Sequence, residues 1–236
     1  MNLITENLAP VITIDGTAGS GKGTVSCKLS QELGWNFLDS GLLYRGLALF
    51  YVWYINKNLL NINVDEQLLA SLALNLELNI VGKAVYLKNL HQESQDVTIE
   101  IRSEFCANLA SKLAVLPMVR KVLLDKQREF LRFPGLVADG RDMGTVVFPK
   151  ANLKLFLDAD PKVRALRRHI QLKESVVDGK LYNRIEGLSE RDLRDSKRAL
   201  APLKPAKDAI CIDTTTITID EVYSIIMNQV KLIILR

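Results

Sequence analysis

The apolar run Val11-Ile12-Thr13-Ile14 passes directly into Gly16-Thr17-Ala18-Gly19-Ser20-Gly21-Lys22-Gly23-Thr24. Few folds can begin this way. The order predicts a buried strand that ends in a glycine-rich turn and continues as a helix from about Gly21 to Leu33. Such a turn aims several backbone N–H groups, and the positive end of the helix, at one point in space. Its glycines put no Cβ in the path of an anion, and Lys22 adds a mobile ammonium for the outer phosphates. The spacing G-x-x-x-x-G-K is that of the P-loop, so residues Gly16 to Thr24 are the candidate ligands of a nucleoside triphosphate. The hydroxyl residue that usually follows the lysine is replaced by Gly23, with Thr24 one place later. Mg²⁺ is therefore expected mostly through water and phosphate, not on a P-loop side chain.

The rest of the chain keeps the same rhythm. Gly34 fits a helix stop, Trp35 to Asp39 a second strand, and Ser40-Gly41 the start of a helix with Leu42, Leu43, Leu47 and Phe50 on its apolar side. Asp65 to Ala73 reads as a helix. Leu76 to Val81 and Ala84 to Leu87, joined by Gly82-Lys83, read as a hairpin. Val97 to Leu116 and Met118 to Phe130 read as helices parted at Pro117. Leu136 to Asp139, Leu153 to Asp158 and Ala209 to Asp213 are the remaining core strands. Helices are expected from Pro161 to about Glu174, from Leu188 to Ala199, and after a capping Thr218. Alternating strands and helices predict an α/β fold, a parallel sheet with helices on both faces and ligands at the carboxyl ends of the strands. One domain is expected, with a core at 9–38, 132–160 and 188–236. An acceptor-binding region at 39–131 would contain an insert at about 60–100, and a lid would span about 161–187.

Composition narrows the class. In 236 residues, 48% apolar, the net charge of +4 is too small to argue for nucleic-acid binding. Cys27, Cys106 and Cys211 lie far apart and the chain has two histidines, which argues against a disulfide framework or a structural zinc site. Met1 to Pro10 lacks the pattern of a secretion signal, and the apolar run Leu47 to Ile55 is about half a membrane span. A soluble, cytoplasmic protein without a membrane partner is expected.

The polar clusters gather after strands or on charged helices. Asp39-Ser40-Gly41-Leu42-Leu43-Tyr44-Arg45 follows the second strand and Asp139-Gly140-Arg141-Asp142-Met143-Gly144 the third. Arg191, Asp195 and Arg198 share one helix face, either as a solvated ion-pair ladder or as forked donors for an anionic acceptor. Arg164, Arg167 and Arg168 follow Pro161 on a helix that is either a basic surface or, with the loop Gln171 to Asn183, a lid over the phosphates. Asp139 reads either as a turn or cap residue or as a contact to a hydrated Mg²⁺. His91 and His169 read as surface or packing residues, and Asp158 and Asp213 as turn or cap residues.

Together, Gly16 to Thr24, Asp39-Ser40-Gly41 with Arg45, Ala138 to Thr145, and Glu190-Arg191-Asp192 through Arg198 to Leu203 resemble the bacterial cytidylate kinases, in the same order from residue 10 to 230. The resemblance implies a monomer that transfers phosphate from ATP to CMP or dCMP. It puts the ATP phosphates on residues 16–24, with Lys22 on the transferring group. It implies that Arg45, Arg141 and Arg198, with Ser40 nearby, hold the acceptor phosphate, and that Arg191 and Asp195 reach the ribose and phosphate. Ser111, Arg120 and Asp142 would meet the base. A carboxylate beside a guanidinium suits the donor–acceptor edge of cytosine and opposes that of uracil. The rivals are a UMP- or shikimate-type kinase, and a P-loop switch module that binds nucleotide without turnover.

Overall fold

The computed structural model describes residues 9–59, 65–171, 187 and 189–234. Five strands form one parallel sheet in the order β2-β6-β1-β7-β8. They are β1 (Val11–Gly16), β2 (Asn36–Asp39), β6 (Leu136–Gly140), β7 (Leu153–Asp158) and β8 (Ile210–Asp213). The register sets Ile14 beside Asp139, Asp15 beside Gly140 and Asp39 beside Asp139, so the acids that end β1, β2 and β6 meet at one edge.

Side chains alternate across this sheet and divide the core in two. Val11, Leu38, Leu136 and Ala138 pack against α2 (Ser40–Lys57) and α5 (Pro117–Arg128). Ile12, Ile14, Val137, Leu153 and Leu155 pack against α1 (Lys22–Leu33) and α8 (Ile219–Ile233). Both faces of the sheet are therefore covered, as the continuous apolar strands required. Gly34 closes α1 in the left-handed conformation at φ 63, and Thr218 with Glu221 forms a capping box at α8.

Between α2 and β6 lie α3 (Glu66–Leu74), a three-stranded antiparallel sheet of β3 (Leu78–Val81), β4 (Ala84–Lys88) and β5 (Ser94–Asp96), and α4 (Glu104–Leu113). The hairpin was legible; β5 was not. The helix expected from Val97 is corrected to a short 3₁₀ turn, Glu100–Arg102, and α4 starts only at Glu104. Val97 and Ile101 have helical spacing, but the Thr98 hydroxyl accepts from Val85 N–H at 2.9 Å and donates to Asp96 at 2.6 Å, which holds a turn instead. Ser103 then caps α4 by accepting from Cys106 N–H at 3.2 Å. Beyond β7, α6 spans Pro161–Gln171 and α7 spans 189–196. The expected lid loop lies, beyond Gln171, outside the described residues. No helix among those described is long and apolar enough to cross a membrane.

Candidate active site

The loop after β1 is built to stay open at its centre. At Gly16, φ +148, an added Cβ would lie 1.9 Å from the carbonyl oxygen of Leu157, so only glycine lets β1 run this close to β7. Thr17 Oγ1 donates to Asp158 at 2.6 Å, Ser20 Oγ to the Thr17 carbonyl at 3.0 Å, and Thr214 Oγ1 to the Ser20 carbonyl at 3.0 Å. These bonds pin the loop from outside. No side chain caps α1 and no acid sits in its first turn, so its N-terminus stays available to an anion. Lys22 Nζ folds back to the Thr17 carbonyl at 3.1 Å. A Cβ on Gly23 would come within 3.1 Å of Asp139 Oδ2. The missing hydroxyl after the lysine is thus the room that Asp139 occupies.

At the sheet edge each acid has its own task. Asp39 caps α2 by accepting from Leu42 N–H at 3.2 Å. Asp15 accepts from the N–H groups of Met143 and Gly144, each at 2.8 Å, and so seats the π-turn Met143–Val147 that follows Arg141 and Asp142. Burial pushes Asp15 up to about 7 against the pull of those two N–H groups. Asp139 Oδ1 is buried without a hydrogen-bond partner. Burial raises Asp139 and lowers Lys22, while each opposes the other's shift by its charge.

The raised Asp15 has a measurable consequence. The folded state holds a proton there that an unfolded carboxyl, at 3.8, has already lost. Stability from this group is therefore present at low pH and lost as pH rises from about 4 to about 7. The urea-unfolding free energy of the wild type, minus that of Asp15→Asn, should fall between pH 5 and 7.5, with a slope of at most about 1.4 kcal/mol per pH unit. A flat difference would show that Asp15 is ionised throughout.

Facing the loop, arginines converge on a cleft of about 500 Å³ that Lys22, Asp139, Arg45, Arg141, Arg191 and Arg198 all line. Arg45, on α2, donates to the Ile101 carbonyl at 2.8 Å. Arg141 donates to the Gly16 carbonyl at 2.8 Å, and its guanidinium lies 3.3 Å from both Asp192 and Asp195. Arg198 pairs with Asp195. Arg191 is short of partners: its Nε is buried without a hydrogen bond, and burial with the nearby Arg141 and Arg45 pulls it down to about 9. This surplus of cations over acids can hold an anion such as a phosphate.

Asp142 lines the same cleft and is ion-paired to Arg120, which stands outside the lining and also donates to the Ala114 carbonyl at 3.1 Å. The Arg120 guanidinium lies 5.8 Å from the Tyr44 ring centre, and the Tyr44 hydroxyl is buried without a partner. Burial raises Tyr44 to about 12, so it stays a neutral phenol. Ser111 lines the cleft beside Asp195. Ser40 also lines it; its hydroxyl oxygen accepts from Gln127 at 2.7 Å and can still donate.

The structure thus gathers most of the residues singled out from the sequence. Gly16, Thr17 and Ser20 form the loop's frame, whereas Ala18, Gly19 and Gly21 to Thr24 line the cleft. Of the three lid candidates, only Arg168 lines it, held by Glu104 at 2.7 Å and the Arg102 carbonyl at 2.7 Å. Arg164 is buried, donating to the carbonyls of Ala159 at 2.8 Å and Ala18 at 3.2 Å and pairing with Asp192. Arg167 turns to Thr214. Asp158 exceeds its expected turn role by holding Thr17, whereas Asp213 only stabilises its own turn through Thr215. His169 is buried without a hydrogen-bond partner and His91 is exposed, as packing and surface residues would be. Sequence reasoning missed Asp15, Gln127, Asp192 and Arg194. Asp192 and Arg194 stood inside the charged helix pattern, but nothing in that pattern told which chain segments they would meet.

Comparison with known proteins agrees with this arrangement. The cytidylate kinase family model matches residues 12–232. The cytidylate kinase of Azotobacter vinelandii is 51% identical over 221 residues, covering 93% of this chain and 94% of the relative. That of Pseudomonas fluorescens is 48% identical over 227 residues, with 96% and 97% covered. That of Methylococcus capsulatus is 48% identical over 226 residues, with 96% and 99% covered.

Proposed function

The chain belongs to the cytidylate kinase family, and from that premise we propose how its cleft divides the work. It is an ATP-dependent phosphotransferase that moves the γ-phosphate of ATP to CMP or dCMP, giving ADP and CDP or dCDP. One observation carries the reading: the P-loop, a convergent set of arginines and Asp142, which Arg120 pairs from behind the lining, open onto a single cleft. The main-chain N–H groups from Ala18 to Thr24 cradle the donor's phosphates, and Lys22 follows the transferring group. Arg45, Arg141, Arg191 and Arg198 grip the acceptor's phosphate, with Ser40 donating beside them. Asp195 turns to the ribose. Asp142, Arg120 and Ser111 read the base. Phosphoryl transfer of this kind needs alignment and charge stabilisation more than covalent catalysis, and these groups supply both.

Mg²⁺ fits this site as a companion of the nucleotide. Among the described residues no cluster of three His, Cys, Asp or Glu side chains could hold an ion alone, but Asp139 Oδ1 is buried, unpartnered and beside the loop. Asp139 would hold the ion through its water shell, and the ion, when bound, neutralises charge on the phosphates. We read 39–131 as the acceptor-binding region, with Arg168 of α6 reaching the cleft from later in the chain; most of the expected lid lies outside the described residues. We read the enzyme as a monomer: the P-loop, the convergent arginines and Asp142 all come from one chain. Three free thiols, Cys27, Cys106 and Cys211, favour the cytoplasm.

The test is ADP release with CMP, UMP, AMP and shikimate as acceptors. CMP should be used at least tenfold better than UMP, because each polar group left unpaired by the wrong base costs about 1–3 kcal/mol. Turnover with shikimate or UMP but not CMP would replace this reading with another small-acceptor kinase. Binding of ATP without turnover would make the chain a switch.

A further inference from the structure

Ser111 has a hydroxyl whose hydrogen is already committed. It donates to Asp195 Oδ1 at 3.1 Å and accepts from Arg194 Nη1 at 2.9 Å. Burial alone would raise Asp195, but Arg141, Arg198 and Arg191 outweigh it and hold the carboxyl below the usual range, so Asp195 stays ionised and can only accept. The Arg194 guanidinium can only donate. A serine hydroxyl has one hydrogen and two lone pairs. With the hydrogen turned to Asp195 and one lone pair taken by Arg194, a single lone pair is left for the cleft that Ser111 lines. Ser111 therefore meets a ligand as an acceptor, as does Asp142, which lines the same cleft in an ion pair with Arg120.

Two acceptors lining one cleft suit an exocyclic amino group, whose two hydrogens satisfy both. A carbonyl oxygen in that place would face lone pairs on both sides. We propose that Arg194 is a specificity-determining positioning residue: with Asp195 it locks Ser111 as an acceptor and so makes the pocket require an amino group on the acceptor's base. The inference rests on the reading of this cleft as the cytidylate site and extends it to a residue that lies outside the cleft lining. Arg194 and Asp195 are neighbours on α7, yet both reach Ser111 on α4, so this recognition also ties those two helices together.

The test is steady-state kinetics with CMP and UMP for the wild type, Arg194→Met, Arg194→Lys, Ser111→Ala and the double variant Arg194→Met/Ser111→Ala. Arg194→Met keeps the aliphatic stem and removes the donors. It should lower the CMP-to-UMP ratio of kcat/KM by about three- to tenfold, through weaker CMP binding and better UMP use. The KM for ATP should stay within twofold of wild type. Arg194→Lys should recover most of the ratio, because an ammonium can donate to the same lone pair. In the Ser111→Ala background, Arg194→Met should change the ratio no further, since the two residues act as one unit. A ratio within twofold of wild type in Arg194→Met, or effects that multiply in the double variant, would overturn the proposal. Arg194→Ala is read by the same criteria should the methionine variant fail to fold. A wild type that does not prefer CMP sinks the cytidylate reading itself, whereas failure at Arg194 alone leaves that reading standing.

Discussion

Replacing Lys22 by alanine lowers CMP-dependent ADP release by about 10²- to 10³-fold, the usual effect of deleting one transition-state donor. Among the described residues the ammonium is tethered to the Thr17 carbonyl, at 3.1 Å, in a cleft where burial lowers it and Asp139, with Asp39 behind it, opposes that shift. Such a cation adds little to folding. Its value appears when negative charge builds on a phosphoryl group between the loop and Arg141. The loss should therefore fall mainly on kcat, with a smaller rise in the KM for ATP, because a contact that strengthens in the transition state is removed. The thermal midpoint should move by no more than a few degrees. Lys22→Arg should not rescue, since a planar fork cannot take the place of a compact ammonium folded over a tight loop. Single-turnover ADP release and a thermal melt check both halves. A rate within fivefold of wild type would remove Lys22 from the reacting centre.

What was legible in the sequence was local or strongly patterned. The strand–glycine–lysine order located the loop. The apolar runs located all five strands of the parallel sheet, and Gly34, Pro117 and Thr218 located helix ends through their backbone preferences. Paired positions far apart in the chain left no such mark. Asp15 reads as one more polar residue at a strand end, yet it seats Met143 and Gly144, more than a hundred residues on, and with them the orientation of Arg141 and Asp142. Asp192 looks like any acid on a charged helix until the fold brings Arg141 and Arg164 to it from two other elements. β5 escaped notice because Ser94-Gln95-Asp96 is polar and exposed and pairs only along the edge of β4. The helix drawn from Val97 failed for the opposite reason: apolar spacing was present, but the hydroxyl of Thr98 bonded elsewhere.

Arg191 joins stability to function most directly. Its charge is costly in the free protein: Nε lacks a hydrogen-bond partner, and burial together with Arg141 and Arg45 pulls the group well below the usual arginine range. Burial thus disfavours that charge in the folded chain, so at neutral pH the charged side chain weakens the fold. Arg191→Met removes the charge and keeps much of the volume. The free variant should melt at a higher temperature than the wild type at pH 7. In the same variant kcat/KM for CMP should fall by about 10²-fold or more, because an acceptor phosphate loses a partly desolvated guanidinium, while the KM for ATP changes far less. Saturating CMP should then stabilise the wild type more than the variant, since the anion supplies the partner that Arg191 lacks in the empty cleft. A variant that melts lower and still uses CMP normally would make Arg191 a structural arginine and would leave the acceptor phosphate to Arg45, Arg141 and Arg198.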